Sequence, residues 1–116
     1  TNQRSLVGLT NLTDAICWAI RAQPGLYFPS DRQDQSTADL IRKIAESLDR
    51  PARLFPIHPR LLTVAGQLTG KRDVINRLTG SLTVDGDLPG WSPPVSMDAE
   101  IARTIQWYRD SKSASF

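Results

Sequence analysis

Residues 36–48, Ser-Thr-Ala-Asp-Leu-Ile-Arg-Lys-Ile-Ala-Glu-Ser-Leu, carry the clearest helix signal in the chain. Ser36 and Asp39 repeat the chemistry of a capping box, in which side chains satisfy the free backbone N–H groups of the first turn. Apolar residues then recur at helical spacing: Leu40, Ile41, Ile44, Ala45 and Leu48. The stretch predicts an amphipathic helix that begins at Ser36.

Towards the N-terminus, Asn11 is followed three residues later by Asp14, which predicts a second capped helix. This helix should end near Gln23-Pro24-Gly25. Its predicted buried face consists of Leu12, Ala15, Ile16, Ala19 and Ile20. The apolar run Leu26-Tyr27-Phe28 then predicts a brief strand.

Towards the C-terminus, proline, glycine and serine punctuate the pattern. Three more helices are predicted: one that begins at Pro59 and stops at Gly70, one from Asp73 to Leu78, and one capped by Ser96, with Asp98 and Glu100 in its first turn. Two more strands are predicted, at Arg53–Ile57 and Ser81–Val84. The fold class is therefore a mixed α/β one, with residues 1–110 as one domain and residues 111–116 as a frayed tail.

Length and composition indicate a small soluble domain. The chain has 116 residues, of which 40% are hydrophobic and 22% charged, with a net charge of +2. Residues 42–77 contain eight basic residues against three acidic ones. Such a segment suits a phosphorylated ligand or a nucleic-acid backbone, or is simply a solvated helix face. Without a long apolar run or a signal peptide, we expect a cytoplasmic protein with no membrane partner.

The sequence offers no catalytic centre and no metal site. A single histidine, His58, stands at a predicted strand-to-helix junction, and the single cysteine, Cys17, is expected to be a small buried hydrophobe. One His and one Cys do not make a zinc site without several converging carboxylates. The glycines form neither a G-x-G-x-x-G turn nor a P-loop, so the chain has no dinucleotide cradle of its own.

Arginines are the chemically useful side chains, because a guanidinium holds a phosphate through paired charge-assisted hydrogen bonds. Arg4 precedes an apolar run, and Arg77 precedes a flexible stretch that ends at Gly80-Ser81. Surface solubility is the alternative role for each of them. The tryptophans, Trp18, Trp91 and Trp107, are expected to pack in a core or interface rather than stack on bases.

Seven motifs in order resemble one family. They are Arg4-Ser5-Leu6-Val7, Asn11-Leu12-Thr13-Asp14-Ala15, Tyr27-Phe28-Pro29-Ser30-Asp31, Ser36-Thr37-Ala38-Asp39-Leu40, Gly70-Lys71-Arg72, Gly80-Ser81-Leu82-Thr83-Val84-Asp85 and Gly90-Trp91-Ser92-Pro93-Pro94. The set is similar to the C-terminal part of NAD-dependent epimerase/dehydratases, the extended short-chain dehydrogenases that act on nucleoside-diphosphate sugars.

The resemblance implies a small C-terminal lobe, with a few short strands among its helices, whose Rossmann domain is absent from this chain. That missing N-terminal domain would hold NAD and the catalytic Tyr-x-x-x-Lys pair, so this chain alone would be inactive. Arg4 matches an arginine that contacts the substrate diphosphate, and Arg77 matches a second one. The expected partners are a nucleoside-diphosphate sugar and the Rossmann domain, and a homodimeric parent fits the family.

The sequence departs from the family pattern in three places. Only Gly86-Asp87-Leu88-Pro89 remains where the family has a short helical stretch, and Gly8 and Thr10 replace bulkier or acidic residues. Arg32 stands where a turn glycine is common. These changes alter the pocket shape that selects the sugar.

Several functions stay open at this stage. An epimerase parent is favoured, with a nucleotide-sugar reductase or dehydratase as relatives. From another class, a basic nucleic-acid-binding module or a protein-interaction module is the alternative. Basic residues that are not interleaved with aromatic ones argue against a nucleic-acid partner.

Overall fold

The structure is a computed structural model that describes residues 2–55 and 57–114. Within these residues the chain forms five helices: α1 (Leu9–Ala19), α2 (Thr37–Ser47), α3 (Pro59–Thr69), α4 (Arg72–Thr79) and α5 (Met97–Ser113). Extended segments join them. The fold is mostly helical, so the prediction of a mixed α/β domain is corrected in its β part.

None of the three predicted strands forms in the described residues. Residues 26–28 and 53–55 belong to no element, Pro56 lies outside the described residues, and from 81–84 only Leu82 makes an isolated bridge. Leu26 and Phe28 are exposed. Because a strand is stabilised by a paired neighbour, an apolar run without one stays extended but unpaired.

Helix α1 differs from its prediction at both ends. It begins at Leu9 with Gly8 as N-cap, so Asn11 lies inside the helix, and it ends at Ala19 rather than near Pro24. Of the predicted face, Ala15 is buried, whereas Ile16 and Ile20 are exposed. Asn11 is fully buried, with 0% exposure. The helix therefore turns a polar residue, Asn11, inwards.

The predictions for the other helices are confirmed. The Ser36 hydroxyl accepts a hydrogen bond from the Asp39 N–H at 3.0 Å, and the Ser96 hydroxyl accepts one from the Ala99 N–H at 3.2 Å. Gly70 ends α3 in the left-handed conformation, with φ of 69°. Helix α5 continues to Ser113, so the first residues of the predicted tail belong to it, and residues 115–116 lie outside the described part.

Two helix pairs and one aromatic cluster hold the chain together. Helix α3 packs on α4, and α2 packs on α5. In the cluster, Ala15, Leu88 and Trp91 are buried, with Trp18 and Tyr27 packed against them. The predicted packing role is confirmed for Trp18 and Trp91. Trp107 is exposed, so it has no core role in the described residues, and its interface role stays a prediction. Cys17 is exposed as well.

Candidate functional site

The N-terminal segment lies between two other parts of the chain. The Arg4 N–H donates to the Gln35 carbonyl at 2.9 Å, and the Gln35 N–H returns a bond of the same length. On the other side, the Ser5 N–H donates to the Leu82 carbonyl at 2.9 Å, and the Leu82 N–H donates to the Gln3 carbonyl at 2.8 Å. The backbone of Arg4 is thus fixed from both sides.

The side chain of Arg4 has an unmet hydrogen-bonding group. Its Nε is buried and has no hydrogen-bond partner in the described part of the chain. A buried donor without an acceptor costs about 1–3 kcal/mol. An acceptor that reached this guanidinium would recover that energy.

Arg77 lies in the last turn of α4 and is exposed. The neighbouring Leu78 carbonyl accepts a hydrogen bond from the Asn2 side-chain amide at 2.8 Å. This contact places the end of α4 beside the segment that carries Arg4. Among residues 2–55 and 57–114, no hydrogen bond or ion pair joins the two arginines to each other or to acidic side chains.

The start of α2 adjoins the same segment. The Asn2 amide donates to the Thr37 hydroxyl at 2.7 Å, and the Thr37 N–H donates back to the Asn2 side-chain oxygen at 3.3 Å. The Ser36 hydroxyl, and then the Arg42 guanidinium, lower the pKa of Asp39 from its ordinary value. The capped end of α2 is therefore part of the frame that positions residues 2–5.

A small polar cavity of about 330 Å³ lies beside this frame and includes Arg32, Asp34, Asp85 and Asp87 in its lining. Arg32 has a φ of 57°, in the left-handed region that favours glycine. Its guanidinium contacts Asp87 and the Trp91 carbonyl, both at 2.9 Å. The cavity lining has three carboxylates and one guanidinium, so its net charge is negative and would repel a diphosphate.

Sequence reasoning missed a buried polar network around Asn11. The Asn11 amide donates to Asp31 at 2.7 Å and to the Val95 carbonyl at 2.8 Å, while its oxygen accepts from the Val95 N–H at 3.0 Å. Asp31 also accepts from the Gly8 N–H at 3.0 Å. Asn11 looked like a helix cap, and only its tertiary partners identify it as a structural bridge.

Gly8 has a packing reason that the sequence did not reveal. A side chain at this position would overlap the Glu100 side chain. Glu100 is buried, and its Oε1 has no hydrogen-bond partner in the described residues. The lack of a side chain at Gly8 thus leaves room for Glu100.

A cleft of about 800 Å³ is lined in part by Trp18, Tyr27 and Trp91. The rings of Trp18 and Tyr27 meet edge to face with centroids 4.9 Å apart. Both indole N–H groups are taken, that of Trp91 by Asp14 at 2.7 Å and that of Trp18 by the Pro89 carbonyl at 3.0 Å. Arg4 and Arg77 are not among its lining residues, so the cleft and the predicted arginine site are separate.

The structure also places the two other candidate residues of the sequence analysis, His58 and Cys17. His58 is the N-cap of α3, where its Nδ1 accepts from the Arg60 N–H at 3.3 Å, which confirms the predicted position at a helix start, although no strand precedes it in the described residues. Cys17 is exposed, so the prediction of a buried thiol is wrong. Residues 2–55 and 57–114 contain no group of three or more His, Cys, Asp or Glu side chains that could hold a metal ion.

Comparison with known proteins gives one informative similarity. A UDP-glucose 4-epimerase of Vibrio cholerae is 37% identical to the chain over 112 residues. The match includes 90% of this chain but only 34% of that protein, so the chain spans about a third of the length of the curated relative it matches. It falls in the C-terminal part of that relative. No protein-family model and no solved structure matches the chain.

Proposed function

We propose that this chain is the substrate-binding C-terminal domain of an NAD-dependent nucleoside-diphosphate-sugar epimerase, and that Arg4 and Arg77 orient the diphosphate of the substrate. The similarity to the C-terminal part of a UDP-glucose 4-epimerase supports the assignment of the chain as a C-terminal epimerase domain. The observation that carries the site is the buried, unpartnered Nε of Arg4 on a backbone fixed at Gln35 and Leu82.

The chemistry of a diphosphate suits these two side chains. A guanidinium offers five donors in a planar fork and stays protonated at neutral pH, so it binds phosphate oxygens bidentately. Because its backbone is already fixed, Arg4 loses less conformational entropy when it binds the diphosphate. In this proposal the exposed side chain of Arg77 contacts the diphosphate from the end of α4. Together they neutralise most of the charge of a diphosphate and fix the position of the attached sugar.

NAD belongs to the absent N-terminal domain in this proposal, because the chain has no glycine-rich turn that would hold a dinucleotide. Bound there, NAD supplies the acceptor and donor for the hydride of the sugar. The residues of this chain contribute orientation and exclusion of water. The chain alone is therefore inactive in this proposal.

Titration calorimetry of UDP-glucose into the longer protein that carries this chain tests the assignment. Arg4→Gln removes the charge and should weaken binding about tenfold to a hundredfold, as expected for a charge-assisted hydrogen bond. Arg4→Lys should recover only part of the affinity, because an ammonium has no planar fork. Arg21→Gln, at an exposed arginine just after the C-cap of α1, is the matched control and should bind like the wild type.

Circular dichroism of each variant checks that the fold is retained. Unchanged affinity in Arg4→Gln, with a retained fold, would remove the diphosphate role from Arg4. Equal losses in Arg4→Gln and Arg21→Gln would indicate a general charge effect instead of a site.

A further inference from the structure

Helix α3 leaves one whole apolar face uncovered. Leu61, Val64 and Leu68 recur at helical spacing, and the first and last of them are 64% and 83% exposed. The opposite face of the helix packs on α4, where Gly66 lies against Ile75. The exposed face is therefore not the one that the helix pair uses for its own packing.

More apolar side chains are exposed in the same stretch of sequence. Phe55 is 79% exposed, just before α3. On α4, Val74 and Leu78 are spaced by four residues, so they share a face, and both are exposed. We call the exposed apolar side chains from Phe55 to Leu78, together with Arg60, Lys71 and Arg72, the basic–apolar surface.

The charge of this stretch distinguishes it from the exposed apolar residues around α1. Residues 50–84 contain six arginines and lysines and one acidic residue, Asp73. Around α1, where Leu9 and Ile20 are also exposed, residues 9–34 contain two basic and three acidic residues. Apolar exposure is thus combined with a strong basic surplus in the α3–α4 region and not around α1.

We propose that the basic–apolar surface binds the surface of an anionic lipid bilayer. Aliphatic and aromatic side chains enter the boundary between headgroups and acyl chains, and the surrounding arginines and lysines are attracted to anionic headgroups. Arg60 lies four residues before Val64 and so borders the apolar face of α3. None of the described helices is long and apolar enough to cross a membrane, so the binding is peripheral.

Other partners fit the surface less well. A nucleic acid would use the basic residues but has no use for exposed leucines, and Phe55 is the one aromatic residue of residues 50–84 that could stack on a base. The buried core of a protein interface is depleted of charge, whereas Arg60 borders the exposed leucines of α3. The proposal replaces the expectation that the chain has no membrane partner, and it does not depend on the diphosphate site.

Flotation of the 116-residue chain with large unilamellar vesicles tests the proposal. The chain should float with vesicles of one part phosphatidylglycerol to three parts phosphatidylcholine, and should float much less with pure phosphatidylcholine. The triple variant Arg60→Gln/Lys71→Gln/Arg72→Gln should lose about a hundredfold in partition coefficient, because each basic side chain near the surface contributes about fivefold.

A second pair of variants separates apolar insertion from charge. Leu61→Ser/Leu68→Ser should weaken partitioning at least tenfold, since two exposed leucines no longer enter the bilayer. Leu9→Ser/Ile20→Ser, at equally exposed positions outside the surface, is the matched control and should partition like the wild type. Circular dichroism verifies the helix content of all variants.

Three results would overturn the proposal: no flotation with anionic vesicles, equal effects of the two serine pairs, or equal flotation with uncharged vesicles. A labelled mixed-sequence DNA duplex is the competing probe. The surface is a nucleic-acid interface instead if the chain binds the duplex and anionic vesicles displace none of it. In that case the Leu61→Ser/Leu68→Ser pair should leave the affinity for the duplex and the affinity for the vesicles unchanged.

Discussion

At the scale of single residues, Asn11 illustrates how a local signal is overridden. Its type and its spacing to Asp14 are those of a helix cap, yet its side chain joins α1 to Asp31 and to the Val95 backbone. A buried amide with its hydrogen bonds satisfied is tolerated, whereas the same groups without partners are costly. The cap assignment failed because the sequence does not reveal which residues come close in space.

Replacing Asn11 should therefore unfold the chain more easily. Asn11→Ala leaves Asp31 and both backbone groups of Val95 with fewer partners and should lower the free energy of unfolding by about 3 kcal/mol. Thr13→Ala, on the exposed side of the same helix, is the control and should change it by less than about 1 kcal/mol. Urea unfolding followed by circular dichroism measures both, and equal effects would contradict the bridging role of Asn11.

Arg32 gives a second residue-scale prediction. Its φ of 57° penalises any residue with a Cβ, and both Arg32→Gly and Arg32→Ala lose the contacts with Asp87 and Trp91. The glycine variant should be more stable than the alanine variant by about 1 kcal/mol. At Arg42, inside α2, the alanine variant should be more stable than the glycine variant, because glycine weakens a helix interior. Thermal unfolding of the four variants decides the matter.

At the scale of elements, the signals that bound α2, α3 and α5 were predictable, whereas the cap of α1 and the strands were not. Ser36, Ser96, Pro59 and Gly70 act within a few residues of where they stand, so local sequence suffices to place α2, α3 and α5. A strand depends on a neighbour that is distant in sequence. The apolar run at residues 26–28 has none within the described chain, and it stays extended and unpaired.

The cap of α2 supports a prediction about pH. The Ser36 hydroxyl is the main cause of the lowered pKa of Asp39, with Arg42 next among the stabilising groups. A carboxyl whose pKa is lower in the folded state than in the unfolded state stabilises the fold above the unfolded pKa. That contribution is lost as pH falls through the folded value.

The expected result is that Ser36→Ala raises the pKa of Asp39 towards its ordinary value and reduces the acid-dependent part of the stability. Titration of the Asp39 carboxyl by NMR measures the change. Ser96→Ala, which removes the equivalent cap of α5, should leave the pKa of Asp39 where it is. A pKa that does not move in Ser36→Ala would mean that Arg42 or the helix dipole dominates.

At the scale of the whole molecule, the chain is open and flat. Its radius of gyration is 17.3 Å, and its principal extents are 50 × 39 × 22 Å. A compact domain of this length has a radius of gyration of about 13 Å. The accessible surface is 8892 Å², against about 6,300 Å² for a compact monomer of this mass. The excess surface agrees with the many large apolar side chains that are exposed.

Small-angle X-ray scattering of the chain should give a radius of gyration near 17 Å, because the helix pairs α2–α5 and α3–α4 do not close over one shared core. A dilution series separates this shape from self-association, which would raise the apparent mass along with the radius. A monomeric value near 13 Å would show that the exposed apolar faces collapse onto each other in solution.

The sequence by itself determined the helices whose signals are local, and it carries the 37% identity to a UDP-glucose 4-epimerase over 112 residues. The diphosphate role of Arg4 and Arg77 stays a prediction. Tertiary structure alone decided that Asn11 is buried, that Gly8 makes room for Glu100, and that Arg4 is fixed between Gln35 and Leu82. It also decided which apolar side chains stay exposed. The reason is that capping and periodicity act over one or two turns, whereas burial and hydrogen-bond partners depend on residues that are distant in sequence.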